Sequence, residues 1–310
     1  MASLGAGRTR EVLTVRRLVL ALLGGGFACS LPACDGDMRA YFARDVVELE
    51  SDIAYVEGST NPRQTLDLYR PRGVRDYPVV VFVHGGYWVA QDKRYFAPVV
   101  GLYGNVGQAL ARRGIGVVIM NYRLVPDVTF NEQLGDVIAA LRWTAQHVGE
   151  YGGDPTRVVL AGHSAGGHMT SLIAFDKARL ASAGFDASRI KGFAPLSPIF
   201  DLEDMAAHPP ESDFNARVTE PVFGADLSSH SPRRYFRGDA PPFFVAMGDA
   251  DEAYLVPQIP RAVAELKALG ATISLLTLPG HSHADVVVNF DTDKDQLAAP
   301  LAEFVQRVAR

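Results

Sequence analysis

The chain predicts an α/β fold, a mainly parallel, doubly wound sheet with helices on both faces. Three observations carry this expectation. Apolar strand-like runs alternate with helix-periodic stretches over most of the 310 residues, which is how strands joined by crossover helices read in a sequence. One run, "YPVVVFVHGG" at 77–86, is apolar at nearly every position and ends on a glycine pair, as a strand covered on both faces does. The stretch "TRVVLAGHSAGGH" then passes from strand to helix through glycines set around one serine, Ser164. Hydrophobic residues at 48% against 21% charged ones allow a sizeable core, and a length of this order suits a single α/β unit.

Residues 1–34 stand apart from that fold. Arg8, Arg10, Arg16 and Arg17 face a single acid, Glu11, and precede "LVLALLGGGFACSLPAC", an apolar run too short and glycine-rich to span a bilayer comfortably. This is the pattern of an export signal. "LPAC", Leu31 to Cys34, is similar to a bacterial lipobox, which makes Cys34 the expected lipidation site and Cys29 a second candidate. A membrane anchor through Cys34 and a place in the cell envelope follow as expectations, with a cytoplasmic protein as the alternative. "RRLVL" from Arg16 has Val15 where a twin-arginine signal has Ser or Thr. Both cysteines lie in this segment, so a chain cleaved before Cys34 is stabilised by its core, without an internal disulfide.

Residues 35–59 are polar and acidic and read as a tether with a short lead-in helix; 60–310 form the folded domain. "TLDLYRP" (65–71) alternates and ends at proline, as an edge strand does. After the strand in 77–86 come a helical stretch near 103–113, the strand "GVVIMNY" (116–122) and a long helix. In that helix Leu134, Val137, Ile138, Leu141 and Val148 recur at helical spacing. "TRVVLAG" (156–162), "KGFAPLS" (191–197), "PPFFVAMGD" and "ATISLLTLPG" supply further strands. "PQIPRAVAELKALG" suits a helix with Gly270 at its C-terminal end, and "QLAAPLAEFVQRVAR" closes the chain as an amphipathic helix. The irregular stretch 198–240, rich in Pro, Asp, Ser and His, has the length of a lid insertion. Without the basic N-terminal segment the chain is more acidic than its overall net charge of −5. A nucleic-acid partner is therefore not expected.

Gly162-His163-Ser164-Ala165-Gly166 is a G-x-S-x-G motif where a strand gives way to a helix. That sharp turn lifts the serine hydroxyl above the sheet edge and points the N–H of Ala165 into the same space. A hydroxyl attacks only when a base takes its proton, so a histidine and an orienting carboxylate are required. On this fold they come in the order Ser, Asp, His, beyond later strands. "GDADE" offers Asp251, in the spacing G-x-x-D, with Asp249 as the alternative. "PGHSH" offers His283, with His281 as the alternative and a rim or substrate contact. "HGGYW", His84 to Trp88, follows a buried strand and supplies unencumbered backbone N–H groups, an oxyanion hole shared with Ala165. Trp88, Tyr122, His163 and His281 are candidate substrate contacts, while packing and hydrogen bonding are the alternative for His163 and for His168. Neither a metal nor a cofactor is expected: no H-E-x-x-H occurs, and the late histidines lack further ligands at metal spacing.

"HGGYW", "NYRLVPD", "YGGDPTRVVLAGHSAGGH", the G-x-x-D and the late histidine together resemble the α/β-hydrolase superfamily over about residues 60–310. Within it the chain is similar to carboxylesterases near the hormone-sensitive-lipase-like, prenylcysteine-methylesterase-like and kynurenine-formamidase-like branches. The resemblance implies Ser164, Asp251 and His283 as a triad, with Gly86, Tyr87 and Ala165 as oxyanion donors and Gly85 shaping the turn. It implies hydrolysis of a small-molecule ester through an acyl-serine. Tyr87 replaces the third glycine of the lipase pattern and no helical cap precedes the core, which points to short or medium acyl chains. Two alternatives are an arylformamidase acting on N-formylkynurenine-type amides and a non-catalytic binding module on the same fold. The sequence leaves the oligomeric state open.

Overall fold

The structure is a computed structural model that describes residues 47–95 and 102–310. The signal segment 1–34, with Cys29 and Cys34, and the tether before residue 47 lie outside the described residues. The rest forms one unit around an eight-stranded sheet in the order β1-β2-β4-β3-β5-β6-β7-β8. The strands are β1 Val47–Ala54, β2 Thr65–Pro71, β3 Tyr77–Val83, β4 Gly116–Met120, β5 Gly153–His163, β6 Ile190–Leu196, β7 Phe243–Ala250 and β8 Ile273–Ser282. From β4 through β8 every neighbouring pair is parallel, and β2 alone runs antiparallel to both of its neighbours, β1 and β4.

The beginning of the sheet differs from the expectation. Where a lead-in helix was expected within 35–59, residues 47–54 are strand β1, and β2 is consequently an inner strand rather than the edge. The reason lies in β2: Arg70 stands opposite Glu48 and pairs with both Glu48 (2.7 Å) and Glu50 (3.0 Å). Cross-strand pairing of this kind selects the extended form of a segment whose own pattern is weak.

Every residue of β3 is buried, in agreement with its continuous apolar run. Val80 and Phe82 face a core completed by Val106 and Leu110 of the helix Gly104–Ala111 and by Leu301, Phe304 and Val305 of the helix Ala298–Val308. The helices Phe130–His147, Ala165–Phe175 and Leu255–Ala268 pack against the sheet from the opposite face. Each fully buried Leu, Val or Phe contributes roughly 1.5–3 kcal/mol, so the two apolar layers are the main source of stability. Phe130–His147 begins at a capping box between Thr129 and Glu132. Leu255–Ala268 ends with Gly270 at φ 88° and with the Ala271 N–H on the Leu266 carbonyl, the glycine termination that the sequence predicted.

The stretch 198–240 carries short helices at Leu202–Ala207, Glu220–Phe223 and Leu227–His230 and a π-helical turn at Asn215–Thr219. Its two stems bond to one another: the Arg233 N–H donates to the Phe200 carbonyl (2.9 Å) and the Leu202 N–H to Ser231 Oγ (3.0 Å). Gln258 from the helix Leu255–Ala268 accepts from the N–H groups of Phe200 and Asp201, which seats the first stem on the core. Among the described residues no helix is long and apolar enough to cross a membrane.

Candidate active site

The sheet's central strand β5 ends at His163, and Ser164 follows at φ 55° and ψ −119°. A non-glycine residue held there costs on the order of 1–3 kcal/mol and persists only when its surroundings fix it. They do so here at close range. The Ser164 N–H donates to the Leu196 carbonyl (2.9 Å), and its own carbonyl accepts from His168 (2.9 Å) to start the helix Ala165–Phe175. A Cβ on Gly166 would collide with the carbonyl of Val83, and one on Gly162 would lie 2.6 Å from Gly166. Gly166 is therefore required by the approach of β3 to the turn, and Gly162 by the return of the turn upon itself.

The loop after β3 comes to the same place. A Cβ on Gly85 would sit 3.2 Å from Ser164 Cβ. The Gly85 N–H donates to Tyr103 Oη (2.9 Å), whose own proton goes to Gln91 Oε1 (2.8 Å). Gly85 is thus anchored, while no described residue accepts from the N–H of Gly86, Tyr87 or Ala165. Gly86 (φ 109°), Tyr87 (φ 52°) and Trp88 (φ 64°) run in succession through positive φ. The Val89 and Ala90 N–H groups close this turn on the Gly86 carbonyl. Gln133 Nε2, fully buried, holds it from below through the carbonyl of Trp88 (2.7 Å).

Of the two acids and two histidines left open by the sequence, the structure pairs Asp251 with His283: Nδ1 donates to Oδ1 at 2.6 Å. Asp249 instead accepts from the Gly280 N–H (2.7 Å), and His281 Nδ1 lies on the Pro279 carbonyl (2.9 Å). Both serve the C-terminal end of β8. The Glu252 N–H also donates to Asp251 Oδ1 (2.8 Å), and Ser197 Oγ donates to Oδ2 (2.6 Å). Burial opposes ionisation of Asp251, but the His283 charge and these hydrogen bonds outweigh it and lower its pKa to about 2. For His283, burial disfavours the imidazolium, yet Asp251 prevails and raises the pKa above the ordinary value.

His163 joins the two halves of the site. Its Nε2 donates to the backbone carbonyl of His283 (3.0 Å), its ring lies 4.7 Å from the His283 ring, and Nδ1 is 3.5 Å from Tyr103 Oη. The residue next to Ser164 in the chain therefore carries the loop that bears His283. Burial, with the nearby His283 charge, depresses its pKa to about 3, so it stays neutral.

The expected substrate contacts are corrected by burial. Trp88 and Tyr122 are both completely inaccessible. The Trp88 ring packs edge-on against His168 and Phe223. Tyr122 stacks on His84 at 4.2 Å and donates to the carbonyls of His84 and Gly85 (both 3.2 Å). They support the His84–Trp88 loop from beneath rather than stand exposed. His163 and His281 are likewise buried and engaged within the scaffold. Tyr87, half-buried, does reach outward, edge to face with Phe214 of the 198–240 insertion. Sequence reasoning missed Ser197, Tyr103 and Gln133. Ser197 had the faint signal of a serine at the end of a strand and before a proline; the other two had none. Among the described residues no group of three or more His, Cys, Asp or Glu is arranged to hold a metal ion.

Comparison with known proteins agrees with this architecture. The BD-FAE family model matches residues 66–262. The chain is 30% identical over 264 residues to the probable isoprenylcysteine alpha-carbonyl methylesterase ICME of Oryza sativa subsp. japonica, covering 79% of this chain and 60% of that protein. It is 31% identical over 281 residues to the probable carboxylic ester hydrolase LipM of Mycobacterium tuberculosis, covering 84% of this chain and 61% of that one. The chain thus spans about three fifths of the length of these relatives. Esterase B of Lactobacillus rhamnosis superposes with a TM-score of 0.78 over 96% of both chains at 24% identity, a likeness of fold. The chain belongs to the BD-FAE family, among the carboxylesterase-like α/β-hydrolases.

Proposed function

We propose that the protein is a serine esterase that cleaves carboxylic esters of short to medium acyl chains through an acyl-Ser164 intermediate. The observation that carries this reading is the 2.6 Å bond from His283 Nδ1 to Asp251, on a loop tied by His163 to the strained Ser164 turn. With Nδ1 committed to Asp251, Nε2 of His283 is the nitrogen left to take the Ser164 proton. Ser164 Oγ attacks the ester carbonyl, and the developing oxyanion is received by the N–H groups of Gly86, Tyr87 and Ala165. Removing one donor of this kind typically costs about 3 kcal/mol in the transition state. The imidazolium then protonates the departing alkoxide, and His283 activates a water that releases the acid and restores Ser164. The two relatives, a probable methylesterase and a probable carboxylic ester hydrolase, support the same chemistry.

The test is turnover of p-nitrophenyl esters from acetate to octanoate, beside N-formylkynurenine, for wild type and Ser164→Ala. Short-ester turnover lost in Ser164→Ala upholds the reading. Preference for the formamide makes the protein an arylformamidase, and inactivity on every substrate makes it a binding module. We further propose, from residues 1–34 alone, export to the cell envelope with a lipid anchor on Cys34. A mass matching cleavage before Cys34 plus lipid, in the membrane fraction, supports this; a soluble chain retaining residues 1–33 overturns it.

A further inference from the structure

We infer that Ser197 is a positioning residue of the catalytic site, holding the Asp251 carboxylate so that Oδ1 alone faces His283. The inference rests on the esterase reading above. Asp251 Oδ1 already takes two donors, His283 Nδ1 and the Glu252 N–H. Oδ2 faces away from them, and its donor among the described residues is Ser197 Oγ at 2.6 Å. An ionised carboxylate only accepts, so the serine hydroxyl is the donor. The distance is that of a charge-assisted bond. Ser197 is fully buried and the Asp251 side chain fully covered, so removing this donor leaves half of an anion without solvation.

The backbone at Ser197 is the second observation. It stands at φ 45°, a conformation natural to glycine, and is held by its N–H on the Ala246 carbonyl (2.7 Å). Strained backbone of this type gathers at functional sites, where the surroundings over-determine it. Glycine would relieve the strain and abolish the bond to Asp251. The residue present keeps the hydroxyl at the expense of local comfort. Since Ser197 is the residue directly after β6 and the insertion begins at residue 198, it places the acid from a rigid strand end rather than from the loop that carries it.

The consequence is specific to Asp251. Ser197→Ala is expected to lower kcat/KM roughly tenfold, the scale of one charge-assisted bond acting through the acid. It is also expected to move the acid limb of the pH profile upward, because a carboxylate relieved of one donor binds the His283 imidazolium more strongly. Ser197→Gly, which alone relieves the positive φ, should melt higher than Ser197→Ala while losing the same activity, a separation that a purely structural role would not allow. In an Asp251→Asn background Ser197→Ala should cost less than about twofold, as coupled residues do. Wild-type kcat/KM and pH profile in both Ser197 variants, or an undiminished loss in the Asp251→Asn background, would overturn the inference. Titration of His283 by NMR in wild type and Ser197→Ala decides it without turnover: an unchanged His283 pKa rejects it even if no ester is a substrate. Failure of the esterase reading would be seen separately, as wild-type inactivity across the ester series.

Discussion

Tyr87 and Phe214 meet edge to face, ring centroids 5.2 Å apart and planes at 71°, so the residue standing where a lipase-like loop has a third glycine also braces the insertion above the site. On the proposed mechanism the same residue offers its N–H to the oxyanion, and its ring with Phe214 is the proposed wall for the acyl group. Tyr87→Ala leaves that N–H in place and removes the wall. It is expected to shift preference along the p-nitrophenyl series toward longer chains, roughly tenfold in the octanoate-to-acetate ratio of kcat/KM, the worth of a few methylenes in an apolar pocket. Phe214→Ala should shift the ratio in the same direction. Opposite shifts in the two variants would show that the rings do not act as one wall.

Activity against pH follows from the Asp251–His283 pair. On the proposed mechanism His283 has to be neutral to accept the Ser164 proton, and its pKa is raised. The acid limb of kcat/KM is therefore expected above the ordinary histidine value of about 6.5. Asp251→Asn removes the charge that opposes burial, so the limb should fall below that value while kcat drops by about 10³–10⁴. A limb that does not move in the variant would assign the titration to another group.

Ser164, the proposed nucleophile, is also a strained residue. Ser164→Gly is expected to raise unfolding stability by about 1 kcal/mol through relief of the positive φ, and Ser164→Ala, which keeps a Cβ, to leave it nearly unchanged. Both should reduce ester turnover to background. Thermal melts of the two variants beside wild type measure the stored strain directly, and equal melting temperatures for all three would mean that the turn holds none.

Gly86 tests the proposed oxyanion hole from the backbone. At φ 109° an alanine is strained, and its Cβ would collide with the Ala90 carbonyl that lies across the turn. Gly86→Ala is expected to lower kcat by about 10²–10³, as loss of an oxyanion donor does, with a smaller change in KM. A rise in KM at constant kcat would place the loop in ground-state binding instead.

How much of this was legible in the sequence depends on how local each cause is. Strands β3 to β8 and the long helices carry their own periodicity, and the G-x-S-x-G turn announces itself because Gly162 and Gly166 are demanded by a crossing only a few residues deep. Topology orders serine, acid and histidine along the chain, so Asp251 and His283 could be named, but Asp249 and His281 lie in the same turns and only the hydrogen bonds separate them. β1 was hidden because its extended form depends on Arg70 of another strand. Ser197 was hidden because its partner is 54 residues away. Trp88 and Tyr122 looked like pocket walls because a sequence shows that aromatics adjoin a site, not on which side of the backbone they lie.

The stems of the 198–240 insertion are closed on each other, Arg233 to Phe200 and Leu202 to Ser231. The sheet therefore does not have to gather the ends of that loop, and doubling the length of what hangs between them costs only about 0.6 kcal/mol in closure entropy. The tip behaves as an exchangeable cartridge. A transplant from a relative of different substrate range has to keep the two stem bonds, an aromatic partner for Tyr87, an aromatic in the place of Phe223 against Trp88 and Phe130, and a carbonyl for His168 Nε2, which now rests on His230 at 2.8 Å. With those met, new selectivity can be installed without touching the sheet or the serine it presents.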